Sequence, residues 1–203
     1  MKPFVATAVL GAVLLAGSAF AQTISPDAKA VQAGTYAVEP SHTRVQFSVT
    51  HFGFTRYWGD VADASGSLVL DPKNAAADQV SVTIPVASVS TTNAKLDEEL
   101  KSPMFLNGGA YPTITFVSKS VTQTGPTTAD ITGDLTLHGV TRPVTLKAKF
   151  NAGGSNPMSK KYTVGFDAHG VINRSDFGVK AFVPMVSDQT DITISAAFEK
   201  TAG

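Results

Sequence analysis

The stretch Arg44-Val45-Gln46-Phe47-Ser48-Val49-Thr50 places an apolar side chain at every second position. Helices repeat their apolar residues every three or four positions, whereas a strand with one covered face repeats them every two. The stretch therefore reads as a strand that covers Val45, Phe47 and Val49. The same period returns along the chain. Val80, Val82 and Ile84 share a face, as do Ile131, Leu135 and Leu137 with Gly133 between them. Val144, Leu146, Ala148 and Phe150 form another stripe, and Tyr162, Val164, Phe166 and Ala168 the next. Ile192, Ile194, Ala196 and Phe198 form the last. With Tyr36 to Val38, Leu68-Val69-Leu70 and Ile114-Thr115-Phe116-Val117, the chain holds eight or nine strands. Turn signals separate them at Asp71-Pro72, Gly125-Pro126, His138-Gly139, Gly153-Gly154 and Asn173-Arg174-Ser175-Asp176.

One segment follows helix spacing. Asn93 is placed to cap a short helix from Ala94 to Lys101, which Pro103 ends. Leu96 and Leu100 lie one turn apart on it, with Asp97, Glu98 and Glu99 toward water. Tyr57-Trp58-Gly59 reads as a second, shorter helical turn. Many regularly spaced strands with one small helix give an antiparallel barrel or a sandwich. Alternation alone fits a hollow barrel and a packed core equally.

Composition narrows the function classes. Of 203 residues, 43% are hydrophobic, and 16 basic side chains balance 16 acidic ones. That balance gives no electrostatic footprint for nucleic acid. With no Cys, there is no disulfide framework, thiolate metal site or thiol nucleophile. Residues 1–21 read as a secretory signal peptide. Lys2 begins it, the apolar run Phe4 to Ala16 follows, and Ala19-Phe20-Ala21 precedes a cut after Ala21. The expected location is periplasmic or secreted. Residues 22–33 read as a linker, 34–199 as one domain and 200–203 as a C-terminal tail.

The sequence has no His-Glu-x-x-His run, no Gly-x-Ser-x-Gly elbow and no glycine-rich phosphate loop. No cofactor, metal or catalytic set is expected. Arg174-Ser175-Asp176 reads as a turn with a local ion pair. His51 continues the covered parity of Val45, Phe47 and Val49. It is either a polar handle at the end of a hollow interior or a histidine satisfied by nearby backbone. Phe52, Phe54, Tyr57 and Trp58 follow within seven residues, as a lid over an apolar ligand or as a plug. The Leu96–Leu100 helix caps an opening or covers a sheet.

Six ordered segments together resemble one family. They are Gly34 to Thr43; Phe47-Ser48-Val49-Thr50-His51-Phe52-Gly53; Leu100 to Phe105 followed by Tyr111 to Phe116; Gly133-Asp134-Leu135-Thr136-Leu137-His138-Gly139-Val140-Thr141-Arg142-Pro143-Val144; Asn173 to Gly178; and Val186-Ser187-Asp188. In these the chain is similar to the YceI-like family of secreted bacterial proteins. The resemblance implies an all-β fold, an antiparallel eight-stranded lipocalin-like barrel with one short helix. It implies an apolar tunnel holding a long-chain amphiphile, such as a polyisoprenoid, an isoprenoid quinone or a fatty-acid derivative, and no catalysis. The candidate ligand contacts are then Phe47, Val49, His51, Phe52, Phe54, Trp58, Leu96, Leu100, Phe105, Phe116, Leu135 and Phe166. Transient membrane contact and a homodimer are the further partners to consider. The competing readings are an enzyme acting on such a lipid or quinone, and a packed structural sandwich.

Overall fold

The computed structural model describes residues 24–201. The signal sequence expected over residues 1–21 lies outside the described residues. Ten strands form one antiparallel sheet that closes on itself. They are β1 (Gly34–Val38), β2 (Arg44–His51), β3 (Thr55–Val61), β4 (Ser65–Leu70), β5 (Gln79–Pro85), β6 (Thr113–Gln123), β7 (Thr128–Leu137), β8 (Val140–Ser155), β9 (Tyr162–Asn173) and β10 (Gln189–Lys200). The single α-helix, α1, spans Ala94–Lys101.

The ten strands make eight staves. The strand β10 pairs through Phe198–Lys200 with β1 and through Asp191–Ser195 with β2. Thus β1 and β2 are two halves of one stave, broken at the 3₁₀ turn Pro40–His42. Pro40 begins that turn because its fixed φ suits a first helical position. Likewise β4 pairs with β1 and β3 with β2, so β3 and β4 form the neighbouring stave. From β4 the order runs β5, β6, β7, β8, β9 and back to β10. Closure leaves the lower half of the sheet no free edge.

In the upper half β3 does not pair with β5. Asp60 and Ser90 exchange two backbone hydrogen bonds there, at 2.8 and 2.9 Å. The segment from Val86 through α1 fills the gap. Asn93 caps α1 by accepting from the Leu96 N–H at 3.3 Å. Asp97, expected to face water, instead accepts from the Thr91 N–H at 2.6 Å and the Thr91 hydroxyl at 2.7 Å. The loop that leads into the helix thereby ties itself to the helix's first turn.

The structure replaces the short helix expected over Tyr57-Trp58-Gly59 with a stretch of β3. Phe47 pairs directly with Gly59 across the β2–β3 ladder. A Cβ on Gly59 would stand 2.3 Å from the Phe47 ring, so the glycine is where that ring crosses the neighbouring strand. Aromatic side chains suit a pleated strand, and the cross-strand partner fixes this one in the ladder.

Residues 24–33, within the expected linker, lie against the barrel. Ser25 pairs with Gly153, and Val31 is buried beside Tyr36, Leu68, Phe150, Val164 and Phe198. Gly66, the second residue of β4, holds φ +142°, and a Cβ there would meet the Ser81 carbonyl oxygen at 2.0 Å. Gly66→Ala is therefore expected to cost about 3 kcal/mol. Urea denaturation checks this, and an unchanged midpoint would contradict the close approach.

Candidate functional site

The inward residues of the staves do not meet across the barrel. They surround a cavity of about 950 Å³. Small-molecule sites span roughly 300–1,000 Å³, so this cavity lies near the top of that range. Its wall is aliphatic along most of its length, with Val82 and Ile84 from β5, Ile131 and Leu135 from β7, Leu146 and Ala148 from β8, and Ile192 and Ile194 from β10. These are the alternating residues of each strand, and the period of two sends their neighbours to solvent. Medium-sized side chains on eight staves leave the axis open.

The two ends differ. The lower end is rimmed by Ala28 and Lys29 of a 3₁₀ turn, the β4–β5 loop with Asp71, Lys73 and Asp78, and the β6–β7 connection with Gln123, Thr127 and Thr128. Just inside, the rings of Phe150, Phe166 and Phe198 make edge contacts at centroid distances of 5.5 and 6.1 Å. Asp78 accepts from the Asp71 N–H at 2.7 Å. Burial, with the neighbouring Asp71 charge adding to it, pushes the Asp78 carboxyl up from 3.8 to about 6. The folded chain thus holds this proton more tightly than the unfolded one. Stability contributed by the protonated form is fully present below about pH 4 and is lost as the pH rises through 6. Asp78→Asn keeps an acceptor for Asp71 and removes the charge. It is expected to melt higher than the parent at pH 8 and level with it at pH 3.5. Equal melting temperatures at pH 8 would show that the carboxylate is not penalised.

At the upper end stands Arg174, 7% exposed and part of the cavity wall. Its expected ion pair within the 174–176 turn is not formed. Its guanidinium instead donates from Nε to the Ser187 carbonyl at 2.9 Å, from Nη1 to Val179 at 3.0 Å and from Nη2 to Val186 at 2.9 Å. The planar fork matches three carbonyls on one loop, which a lysine ammonium cannot do from one point. Burial lowers its pKa, and the charge of Asp188 opposes that shift. Asp188 accepts from the Ser175 N–H and hydroxyl at 2.8 and 2.6 Å. The β9–β10 loop is so held down over the upper end of the barrel.

Of the residues expected to contact a ligand, Phe47, Val49, Leu100, Phe105, Phe116, Leu135 and Phe166 line the cavity. His51, Phe52, Phe54, Trp58 and Leu96 do not. His51 keeps the inward parity, but β2 runs past the barrel end. There His51 pairs with Thr55 and bridges to Val186, which lines the cavity while His51 itself does not. Its ring packs on Phe52, with centroids 4.5 Å apart, and is exposed. Phe52 and Phe54 form the hairpin tip, and Trp58 points outward beneath Arg56. Leu96 lies one turn along α1 from Leu100, half-buried and off the wall. The sequence placed Arg174 in a turn ion pair and not on the cavity wall, and its spacing did not mark the polar lower rim. The signal for the rim was present in Asp71-Pro72 and Gly125-Pro126, since the turns of a barrel gather at its ends. Among the described residues, no three His, Asp or Glu side chains come together as a metal site.

Comparison with known proteins agrees with this architecture. The YceI-like domain profile matches residues 36–198. Protein YceI of Escherichia coli O157:H7 is 42% identical over 183 residues, covering 89% of this chain and 94% of that one. The crystal structure of the Campylobacter jejuni YceI protein superposes with a TM-score of 0.68 at 28% identity, covering 75% of this chain and 90% of that one. A polyisoprenoid binding domain from Saccharophagus degradans shares the fold at a TM-score of 0.62 and 12% identity, over 84% of this chain and all of that one. With its profile match running from the first strand to the last and its close identity to Protein YceI, the chain belongs to the YceI-like domain family.

Proposed function

We propose that the protein binds a long-chain amphiphile, a polyisoprenoid, an isoprenoid quinone or a fatty-acid derivative, with the tail inside the barrel. The observation that carries this reading is the continuous apolar wall around a cavity of about 950 Å³. At the ~30 Å³ that one water takes in the liquid, the space admits on the order of thirty carbon-sized groups. Each methylene removed from water contributes about 0.8 kcal/mol. Ten buried carbons thus provide on the order of 8 kcal/mol before ordering costs, and a longer tail reaches micromolar binding without a charged anchor. The name of the Saccharophagus degradans domain supports a polyisoprenoid within this class. The protein acts in this reading as a carrier or buffer and not as an enzyme. The apolar wall offers the tail shelter, and the ionisable side chains of the lining, Lys29, Asp71, Lys73 and Asp78 below and Arg174 above, stand at its two ends.

In this reading the signal peptide expected over residues 1–21 directs the protein to the periplasm or outside the cell. Protein purified from a bacterial host is expected to carry a mass in native mass spectrometry that organic solvent removes. Its polypeptide mass should lack residues 1–21. A homogeneous ligand-free protein that also fails to take up added polyprenyl phosphate, ubiquinone or long-chain fatty acid would refute the proposal.

A further inference from the structure

We infer that the upper end of the barrel docks on the surface of a lipid bilayer. The large apolar side chains that remain exposed are distributed unevenly. Phe52, Phe54, Met104, Phe182 and Met185 all lie at that end, on the β2–β3 turn, the segment after α1 and the β9–β10 loop. The three segments are joined. The Phe52 N–H donates to the Met185 carbonyl at 2.8 Å, and Phe182 packs on Phe105 with ring centroids 6.1 Å apart. Phe105 is itself part of the cavity wall. An apolar surface thus runs unbroken from the outside of the molecule to the inside. The lower end carries Lys29, Asp71, Lys73, Asp78 and Gln123 instead. Ile24 and Met158 are also exposed at the lower end, so the ends differ in kind: the exposed aromatic side chains gather at the upper end.

Two features mark the apolar end as built. Phe54 is 89% exposed at the hairpin tip, where any polar residue would serve a turn equally well. Phe52 and Phe182 hold φ of +51° and +61°, a region that bulky side chains rarely adopt. Strain of this kind persists where the surrounding structure enforces it, and it gathers at functional positions. Aromatic and methionine side chains standing on separate loops suit the boundary between head groups and acyl chains. A second copy of the chain fits less well. On the scale of the roughly 150–250 Å² that an aromatic side chain buries, the five exposed groups offer on the order of 600 Å². A standard interface takes about 800 Å² from each partner.

The inference rests on the lipid-binding reading to this extent: a bilayer-resident tail explains why a soluble barrel would keep such an end exposed. The test separates the two. The mature protein is co-sedimented with vesicles of phosphatidylethanolamine and phosphatidylglycerol in high salt, and its bound lipid is measured separately by mass spectrometry. The parent is expected to sediment with the vesicles. The double variant F54S/M185S should lose at least ten-fold in vesicle affinity while keeping its cavity lipid and melting temperature. Met158→Ser, at a methionine on the β8–β9 loop of the opposite end that is more exposed than Met185, should bind as the parent does. Docking is overturned if the parent stays in solution, or if F54S/M185S sediments as the parent does. It is also overturned if M158S loses as much as F54S/M185S, or if the parent is a dimer that F54S/M185S dissociates. Loss of the cavity lipid with vesicle binding intact would count against the lipid carrier alone.

Discussion

Replacing Ala168 with Trp is expected to weaken lipid uptake on the order of a hundred-fold while leaving the melting temperature unchanged or higher. Ala168 sits in the middle of β9, paired with Ala148 on one side and Ile194 on the other, and all three line the cavity. An indole at that position extends across open space and meets no packed wall. Displacing even four methylenes of a bound tail removes about 3 kcal/mol, on the order of a hundred-fold in affinity. A solid core would respond in the opposite way. Overpacking there costs typically 1–3 kcal/mol, so the variant would melt lower. Titration with a fluorescent fatty acid and a thermal melt on the same sample distinguish the two. A destabilised variant with unchanged uptake would mean that the tail lies elsewhere.

The second large effect belongs to Arg174. Arg174→Met keeps much of the side chain's length and leaves the carbonyls of Val179, Val186 and Ser187 without their donor. Each buried group left unpaired costs about 1–3 kcal/mol, and the loop can turn part of that cost toward water. A net loss on the order of 3 kcal/mol follows. Arg174→Lys keeps the charge but reaches fewer of the three carbonyls, so it should fall between parent and R174M. Amide exchange should speed up across residues 179–187 in both variants before it does so in the barrel. If R174M melts within about a degree of the parent, the guanidinium does not hold the loop.

These two residues mark how far the sequence could be read. The alternation of Val144, Leu146, Ala148 and Phe150 placed β8 and its inward face, because a period of two is a local property of the chain. The helix at Ala94–Lys101 was equally legible, since Asn93 and Pro103 act on their immediate neighbours. The hollow was not. Inward valines and leucines look the same in a packed sandwich and in an open barrel, and stave number and tilt decide between them. The helical reading of Tyr57-Trp58-Gly59 failed for want of Phe47, its partner twelve residues away in the ladder. Arg174 escaped because the carbonyls that bury it come from a loop whose return path no local pattern encodes. His51 had the right parity and the wrong height, since alternation tells direction and not how far a strand outruns the barrel. The unequal distribution of Phe54, Phe182 and Met185 became visible only once the turns were gathered at one end.

The most direct measurement is electron density along the barrel axis in crystals of protein purified from its bacterial host without delipidation. An elongated tube of density running between Leu135 and Ile194, too long for water and in van der Waals contact with the aliphatic wall, is the predicted result. Side chains from opposite staves in contact with one another, filling the axis with no room for a hydrocarbon chain, would contradict it.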